Sequence, residues 1–175
     1  MARRKVLITG AAGGMGRACA RLFGMTDDLI LADVSADRLN AFADELEADA
    51  YTVSARVAGD TCDAGVIAAM VQALGGGAPF VVVHTAGVSP SMADWEAIMR
   101  INLQGTALLM AALEPLVVPG TVAVLIASTA GHGLPEVPGF GDVLADPLSP
   151  DLVERCRPFV EGMVKMSGRA GMEPG

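Results

Sequence analysis

Apolar positions along the chain fall into short runs separated by longer stretches at helical spacing. Val6-Leu7-Ile8 is an apolar run that ends in Thr9-Gly10, and from Gly14 onward Ala18, Ala20, Leu22 and Phe23 recur with a helical period. Residues 29–32 repeat the strand signal. Ser35 then stands where an N-cap belongs, ahead of an amphipathic stretch with Leu39, Phe42, Ala43 and Leu46 on one face. Residues 51–57 alternate as a third strand, and Asp63 is placed to cap a helix carrying Val66, Ile67, Met70, Val71 and Leu74. Gly75-Gly76-Gly77 ends that helix. The run from Pro79 through Phe80, Val81, Val82 and Val83 to His84 is continuously apolar, as a strand covered on both faces requires. A long helix over about 93–113 and a fifth strand over 121–127 complete the regular part.

Strands alternating with helices over the first 127 residues predict an α/β fold, a doubly wound parallel sheet of the Rossmann type, rather than a sandwich or a bundle. Residues 131–150 hold four glycines and four prolines and read as loop. Ser149-Pro150-Asp151 can open a last helix through Leu152, Val153, Cys156, Phe159, Val160 and Val164, with Pro158 kinking or limiting it. The expected organisation is one dinucleotide-binding domain over 1–175. Its Rossmann core covers 1–130, a loop, a helix and a mobile tail cover 131–175, and the sheet is expected to be truncated after the fifth strand.

Composition narrows the function classes. A formal net charge of −8 argues against a phosphate-backbone partner, and Arg3-Arg4-Lys5 is too short a run to offset it, so no nucleic acid is expected. Pro115, Pro119 and Gly120 interrupt the most hydrophobic region short of the roughly 20 residues a spanning helix needs, so no membrane association is expected. Cys19, Cys62 and Cys156 share no metal-ligand spacing, which predicts neither a metal site nor a disulfide framework and suits a cytoplasmic setting.

The candidate chemistry begins at Thr9-Gly10-Ala11-Ala12-Gly13-Gly14-Met15-Gly16, glycines set between a predicted strand and a predicted helix, where free backbone N–H groups can face a pyrophosphate. A side chain at Gly10 or Gly14 would obstruct the turn or the phosphate's approach, and Gly16 would let the helix pack close to the sheet. Asp33 falls at the end of the second strand, about 20 residues beyond the turn, where an acid can accept from adenosine ribose hydroxyls and would repel a phosphate there. NAD is therefore the expected cofactor, ahead of NADP, although Arg38 offers a positive charge nearby.

The spacing TGxxxGxG resembles the signature of the short-chain dehydrogenase/reductase family, and further segments agree with that family in order. Asp60-Thr61-Cys62-Asp63 is similar to its acidic segment after the third strand, which implies Asp60 near adenine. His84-Thr85-Ala86-Gly87 stands in the place of its NNAG motif with two substitutions, which implies Ala86 and Gly87 against the cofactor. Asn102 resembles the helix asparagine that holds a water in the family's proton relay. Ser128, in Ile126-Ala127-Ser128-Thr129-Ala130-Gly131, resembles the serine that bonds the substrate oxygen. The resemblance implies hydride transfer between NAD and a secondary alcohol or ketone, a small-molecule substrate, and association of copies through long helices such as 93–113. His84 by itself reads as a strand-end residue with a satisfied ring.

The family's chemistry also depends on a tyrosine followed four residues later by a lysine, the cation lowering the phenol's pKa. This sequence has one tyrosine, Tyr51, in the third strand, and its lysines are Lys5 and Lys165. The place after Ser128 where the family often has its tyrosine falls on Gly141, and Glu161 with Lys165 reads as an i, i+4 helix pair. Of two explanations the preferred one is that the chain stops short of a tyrosine displaced by the 131–165 segment. The alternative is a complete protein that keeps nucleotide binding without catalysis.

Overall fold

The computed structural model describes residues 3–133 and 136–166. Five strands, β1 (Lys5–Thr9), β2 (Asp28–Asp33), β3 (Val53–Ala58), β4 (Val81–His84) and β5 (Val122–Leu125), form one sheet in the order β3-β2-β1-β4-β5, every pair parallel. The parallel doubly wound architecture expected from the alternation is the one observed.

Parallel strands buried on both faces are apolar through their middles, and the central strands are, with polar residues only at their ends. Val6, Ile8, Leu29, Leu31, Val81 and Val83 face α1 (Gly14–Phe23) and α2 (Ala36–Ala48), where Leu39, Phe42, Ala43 and Leu46 are fully buried. The intervening Leu7, Ile30 and Val82 face α3 (Ala64–Leu74) and α5 (Thr106–Leu113) on the other side, against Met70, Leu74, Leu109 and Leu113. β5 differs: all four of its residues are exposed, with Val122, Val124 and Leu125 each more than 40% accessible.

Ser35 occupies the N-cap of α2 as expected, without a side-chain capping bond, and its own N–H donates to Asp33 Oδ1 at 3.0 Å. Two local expectations are corrected. The expected helix over 93–113 opens as α4 (Trp95–Ile98), capped by Asp94 Oδ1 on Ala97 N–H at 2.8 Å, and passes through a π-helical segment (Met99–Gly105) before α5. Residues 131–150 are not loop throughout, since they contain a 3-10 turn (Thr129–Gly133) and α6 (Phe140–Leu144).

Asp63 caps α3 as expected, accepting from the N–H groups of Gly65 and Val66. The last helix, α7 (Leu152–Met166), continues past Pro158. Phe140 stacks on Phe159 with ring centroids 5.1 Å apart, and α6 and α7 together cover Trp95, Met99 and Leu103. These three residues of the long helical region are thus packed against the same chain. The side chain of Lys165 and the tail beyond Met166 lie outside the described residues.

Among the described residues no helix is long and apolar enough to cross a membrane, and no cluster of three His, Cys, Asp or Glu could hold a metal.

Candidate functional site

Every strand of a parallel sheet ends at the same edge, and a crevice forms there where successive connections leave in opposite directions. In this sheet that switch lies between β1 and β4. A cleft of about 330 Å³ opens above it, lined by Gly10 after β1, Asp33 at the end of β2, Asp60 after β3, and Ala86, Gly87 and Val88 after β4.

Gly10 turns the chain out of β1 with φ +64°, a left-handed conformation that disfavours any side chain. A Cβ there would stand 2.8 Å from Ala86 N. The turn is closed by Gly13 N–H on Gly10 O at 3.0 Å. The first bond within α1 is Arg17 N–H to Gly13 O, so the N–H groups of Gly14, Met15 and Gly16 precede the helical ladder, at its positive end. No acidic side chain occupies this first turn.

Gly16 has a different part from the one expected. Its added Cβ would collide with Gly10 O and lie 2.7 Å from Ala11 Cα, so the missing side chain lets α1 close onto the turn itself rather than onto the sheet. A Cβ on Gly14 would meet nothing within 4 Å, which leaves the space in front of the helix open.

Asp33 is buried and braces the turn. Its Oδ2 accepts from Ala12 N–H at 3.0 Å, and its Oδ1 accepts from Ser35 N–H at 3.0 Å and from the Arg38 guanidinium at 3.4 Å. A carboxylate has about four acceptor positions, so one remains open. The Arg38 contact is long and its side chain is 63% exposed, which makes it the readily displaced partner.

Asp60 accepts from Cys62 N–H and from Arg100 Nη1, both at 2.8 Å. Burial would raise its pKa, but those two partners outweigh burial and hold the carboxyl below its ordinary value. Burial and the Asp60 charge instead push the Cys62 thiol up to about 11, so it is protonated and donates to Arg100 O at 3.2 Å. Arg100, which sequence reasoning passed over, also lines the cleft. Only its position two residues before Asn102 in the same helix hinted at a place there.

Asn102 lies in the π-helical segment, and its amide grips one residue of the cleft wall at both ends: Oδ1 accepts from Val88 N–H and Nδ2 donates to Val88 O, each at 2.8 Å. Asn102→Asp replaces that donor with an acceptor facing Val88 O. We expect it to cost about 0.5–1.5 kcal/mol, a drop of a few degrees in thermal midpoint, with dinucleotide affinity falling alongside. An unchanged midpoint would show that the grip contributes nothing.

Ser128 follows β5 at the same sheet edge. It is exposed, its carbonyl accepts from Gly131 N–H at 3.3 Å, and it does not line the cleft. Tyr51 is at the opposite edge. It precedes β3, its N–H donates to Leu46 O, and its neighbour Thr52 pairs with Leu29 at the start of β2, roughly 13 Å of strand away from Asp33. Lys5 opens β1 at that far edge, with its ammonium on the Ala73 and Leu74 carbonyls that end α3. Neither can serve chemistry in the cleft.

The family model described as short chain dehydrogenase matches residues 4–141. The chain belongs to the short-chain dehydrogenase family. Members of this family are oxidoreductases that bind NAD or NADP and act on small molecules. Among curated members, the short-chain dehydrogenase/reductase bsc3 of Alternaria brassicicola is 31% identical over 134 residues, 77% of this chain and 48% of that protein. The (2S)-[(R)-hydroxy(phenyl)methyl]succinyl-CoA dehydrogenase subunit BbsD of Thauera aromatica is 31% identical over 59% of this chain and 45% of its own length. The chain thus spans about half the length of the curated short-chain dehydrogenases it matches. Among solved structures, a 3-oxoacyl-acyl-carrier-protein reductase with bound NAD from Brucella melitensis aligns with TM-score 0.56 at 30% identity, over 65% of this chain and 48% of that one. LigD from a Sphingobium strain shares the fold at TM-score 0.65 and 22% identity, over 96% of this chain and 74% of its own.

Proposed function

We propose that the cleft binds NAD and that the chain is the dinucleotide-binding part of a short-chain oxidoreductase that moves hydride between NAD and a secondary alcohol or ketone. The observation that carries this reading is the arrangement at the turn. The N–H groups of Gly14, Met15 and Gly16 precede the helical ladder of α1, the space in front of Gly14 is open, and Asp33 both braces that turn and lines the cleft with an acceptor position left for a ribose hydroxyl. In this reading Thr9, Gly10, Gly14, Met15 and Gly16 form the diphosphate seat, Asp60 borders the adenine, and Ala86 and Gly87 form the wall beneath the nicotinamide half. Asn102 supports a water and Ser128 bonds the reacting oxygen. The cofactor supplies the hydride chemistry, and the chain's residues bind and orient it. Three free cysteines suit a cytoplasmic setting.

Calorimetry with both dinucleotides tests the cofactor. A ribose phosphate about 4 Å from the Asp33 carboxylate would be repelled by roughly 1–4 kcal/mol, so NADP is expected to bind about tenfold or more weakly than NAD. Asp33→Asn keeps an acceptor for Ala12 or Ser35 and removes the charge; it is expected to narrow that gap mainly by improving NADP. Equal affinities in the unaltered protein, or no binding of either, would reject the assignment. A second reading, a non-catalytic NAD-binding module, is favoured by Tyr51 and Lys5 standing at the far edge of the sheet. NAD binding without turnover is its signature.

A further inference from the structure

His84 closes β4, is almost fully buried, and is bonded at both ring nitrogens: Nδ1 lies 2.7 Å from Thr9 Oγ1 and Nε2 lies 2.9 Å from Thr106 Oγ1. The neighbours fix which way each proton goes. Thr106 Oγ1 donates to the Asn102 main-chain carbonyl at 2.8 Å, and a carbonyl can only accept. Thr106 has no second proton for the ring, so it accepts from His84 Nε2–H. A neutral ring protonated at Nε2 has a bare Nδ1, which accepts the Thr9 hydroxyl proton. Thr9 Oγ1 in turn accepts from Ala86 N–H at 3.3 Å. One directed chain of hydrogen bonds therefore runs from Ala86 through Thr9, His84 and Thr106 to Asn102.

That chain joins three walls of the cleft. Thr9 immediately precedes Gly10 of the turn, Ala86 lies on the segment after β4, and Asn102 belongs to the π-helical segment that grips Val88. We propose that His84, held as the neutral Nε2–H tautomer, is a positioning residue that keeps the glycine turn and the Asn102 helix in register, and that protonating it unfastens them. Its consequence for NAD rests on the function proposed above.

A protonated ring donates from both nitrogens. Nδ1–H would then point at Thr9 Oγ1, turning that bond around and leaving the Thr9 proton without its acceptor. No carboxylate bonds either ring nitrogen. β1 presents Thr9, the segment after β4 presents Thr85 with its hydroxyl on Thr9 O, α5 presents Thr106, and β5 lies alongside through Leu125. The acids of neighbouring elements are engaged elsewhere, Asp33 on the Ala12 and Ser35 N–H groups, Asp60 on Arg100, and Glu45 on Arg17 and Arg21 of α1, while the Lys5 ammonium is held at the far edge on the end of α3. Burial accordingly pushes the imidazole below its ordinary value. The sign follows: the folded state binds this proton less readily than the unfolded chain. The clamp is therefore complete above about pH 6.5 and is lost as pH falls through the lower folded value.

The chain has two histidines, so His132→Gln, a change at an exposed residue outside the cleft, leaves His84 as the only imidazole. Nitrogen NMR of this variant at pH 7.5 is expected to find the proton on Nε2 and a titration midpoint below the ordinary histidine value. The backbone amides of Gly10 and Ala86 and the side-chain amide of Asn102 are expected to shift with that same midpoint, and NAD affinity to fall about tenfold across it. Thr106→Val, which removes the Nε2 acceptor, is expected to reproduce those amide shifts at neutral pH, and Thr106→Ser to restore the original positions. A proton on Nδ1 at pH 7.5, or site amides that ignore the His84 titration, would overturn the proposal. Amides that follow His84 in a protein binding no NAD at any pH would uphold the clamp and reject the NAD reading instead.

Discussion

Gly10→Ala is expected to cost about 2–6 kcal/mol of stability, enough to unfold much of the protein, whereas Gly14→Ala is expected to leave the fold intact and weaken NAD binding about tenfold or more. The first estimate combines two effects. Holding a residue with a Cβ at φ +64° costs roughly 1–3 kcal/mol. Forcing that Cβ to within 2.8 Å of Ala86 N and 2.9 Å of Ala86 Cα and Thr85 C adds about 1–3 kcal/mol of overpacking. These neighbours are main-chain atoms, held in place by the Thr85 hydroxyl on Thr9 O and by Ala86 N–H on Thr9 Oγ1, so they cannot swing aside as a flexible side chain would.

Gly14 sits at the start of α1 with nothing within 4 Å of an added Cβ, and alanine is the better helix former. The thermal midpoint of Gly14→Ala should match or slightly exceed that of the unaltered protein. The new methyl would occupy the space a diphosphate needs. Thermal denaturation and calorimetry on the two variants separate a glycine required by the fold from one required by a ligand. Undiminished NAD affinity in Gly14→Ala would reject the start of α1 as the phosphate seat.

The second large effect concerns turnover. With NAD saturating, the purified chain is expected to oxidise secondary alcohols at least about 10²–10⁴-fold more slowly than hydride transfer assisted by a positioned acid or base, because that is the usual contribution of such a group. Among the described side chains, the phenol and the ammonium that could supply it, Tyr51 and Lys5, are fixed at the amino ends of the strands, with Tyr51 N–H on Leu46 O and the Lys5 ammonium on the end of α3. Asn102 cannot substitute, since an amide does not titrate and both ends of its side chain are engaged by Val88. Absorbance of NADH, followed with assorted secondary alcohols at saturating NAD, measures this directly. Ordinary enzyme rates would require a proton donor elsewhere on the chain and would exclude the non-catalytic reading.

Much of the molecule was legible from contiguous residues. The apolar runs at 6–8, 29–32 and 79–84 lie in or against β1, β2 and β4, and Asp63 caps α3 as its position suggested. Boundaries drifted where a ladder partner ran out. The alternation from residue 51 overshot the start of β3, because Tyr51 N–H closes the end of α2 before the chain joins the sheet. The π-helical segment was invisible, since a period of 3.6 fits residues 93–113 well. Its extra residue accompanies two tertiary demands, Asn102 reaching Val88 and Gly105 passing over Cys62, whose sulfur would stand 2.9 Å from an added Cβ. α6 was hidden by its glycine- and proline-rich surroundings and owes its place to Phe140 stacking on Phe159.

The sequence by itself determined the fold class, the position of the glycine turn and the absence of a tyrosine at the expected spacing, because hydrophobic period and the freedom of glycine are properties of neighbouring residues. Only the tertiary structure decided that Asp33 braces the turn while facing the cleft, that Arg100 joins Asp60 there, that Tyr51 and Lys5 lie at the wrong edge, and that His84 links Thr9 to Thr106. The reason is one of reach. Thr9 and His84 stand 75 residues apart and meet only because β1 and β4 pair in parallel with Thr9 opposite His84, a register set by burying both faces of the sheet together.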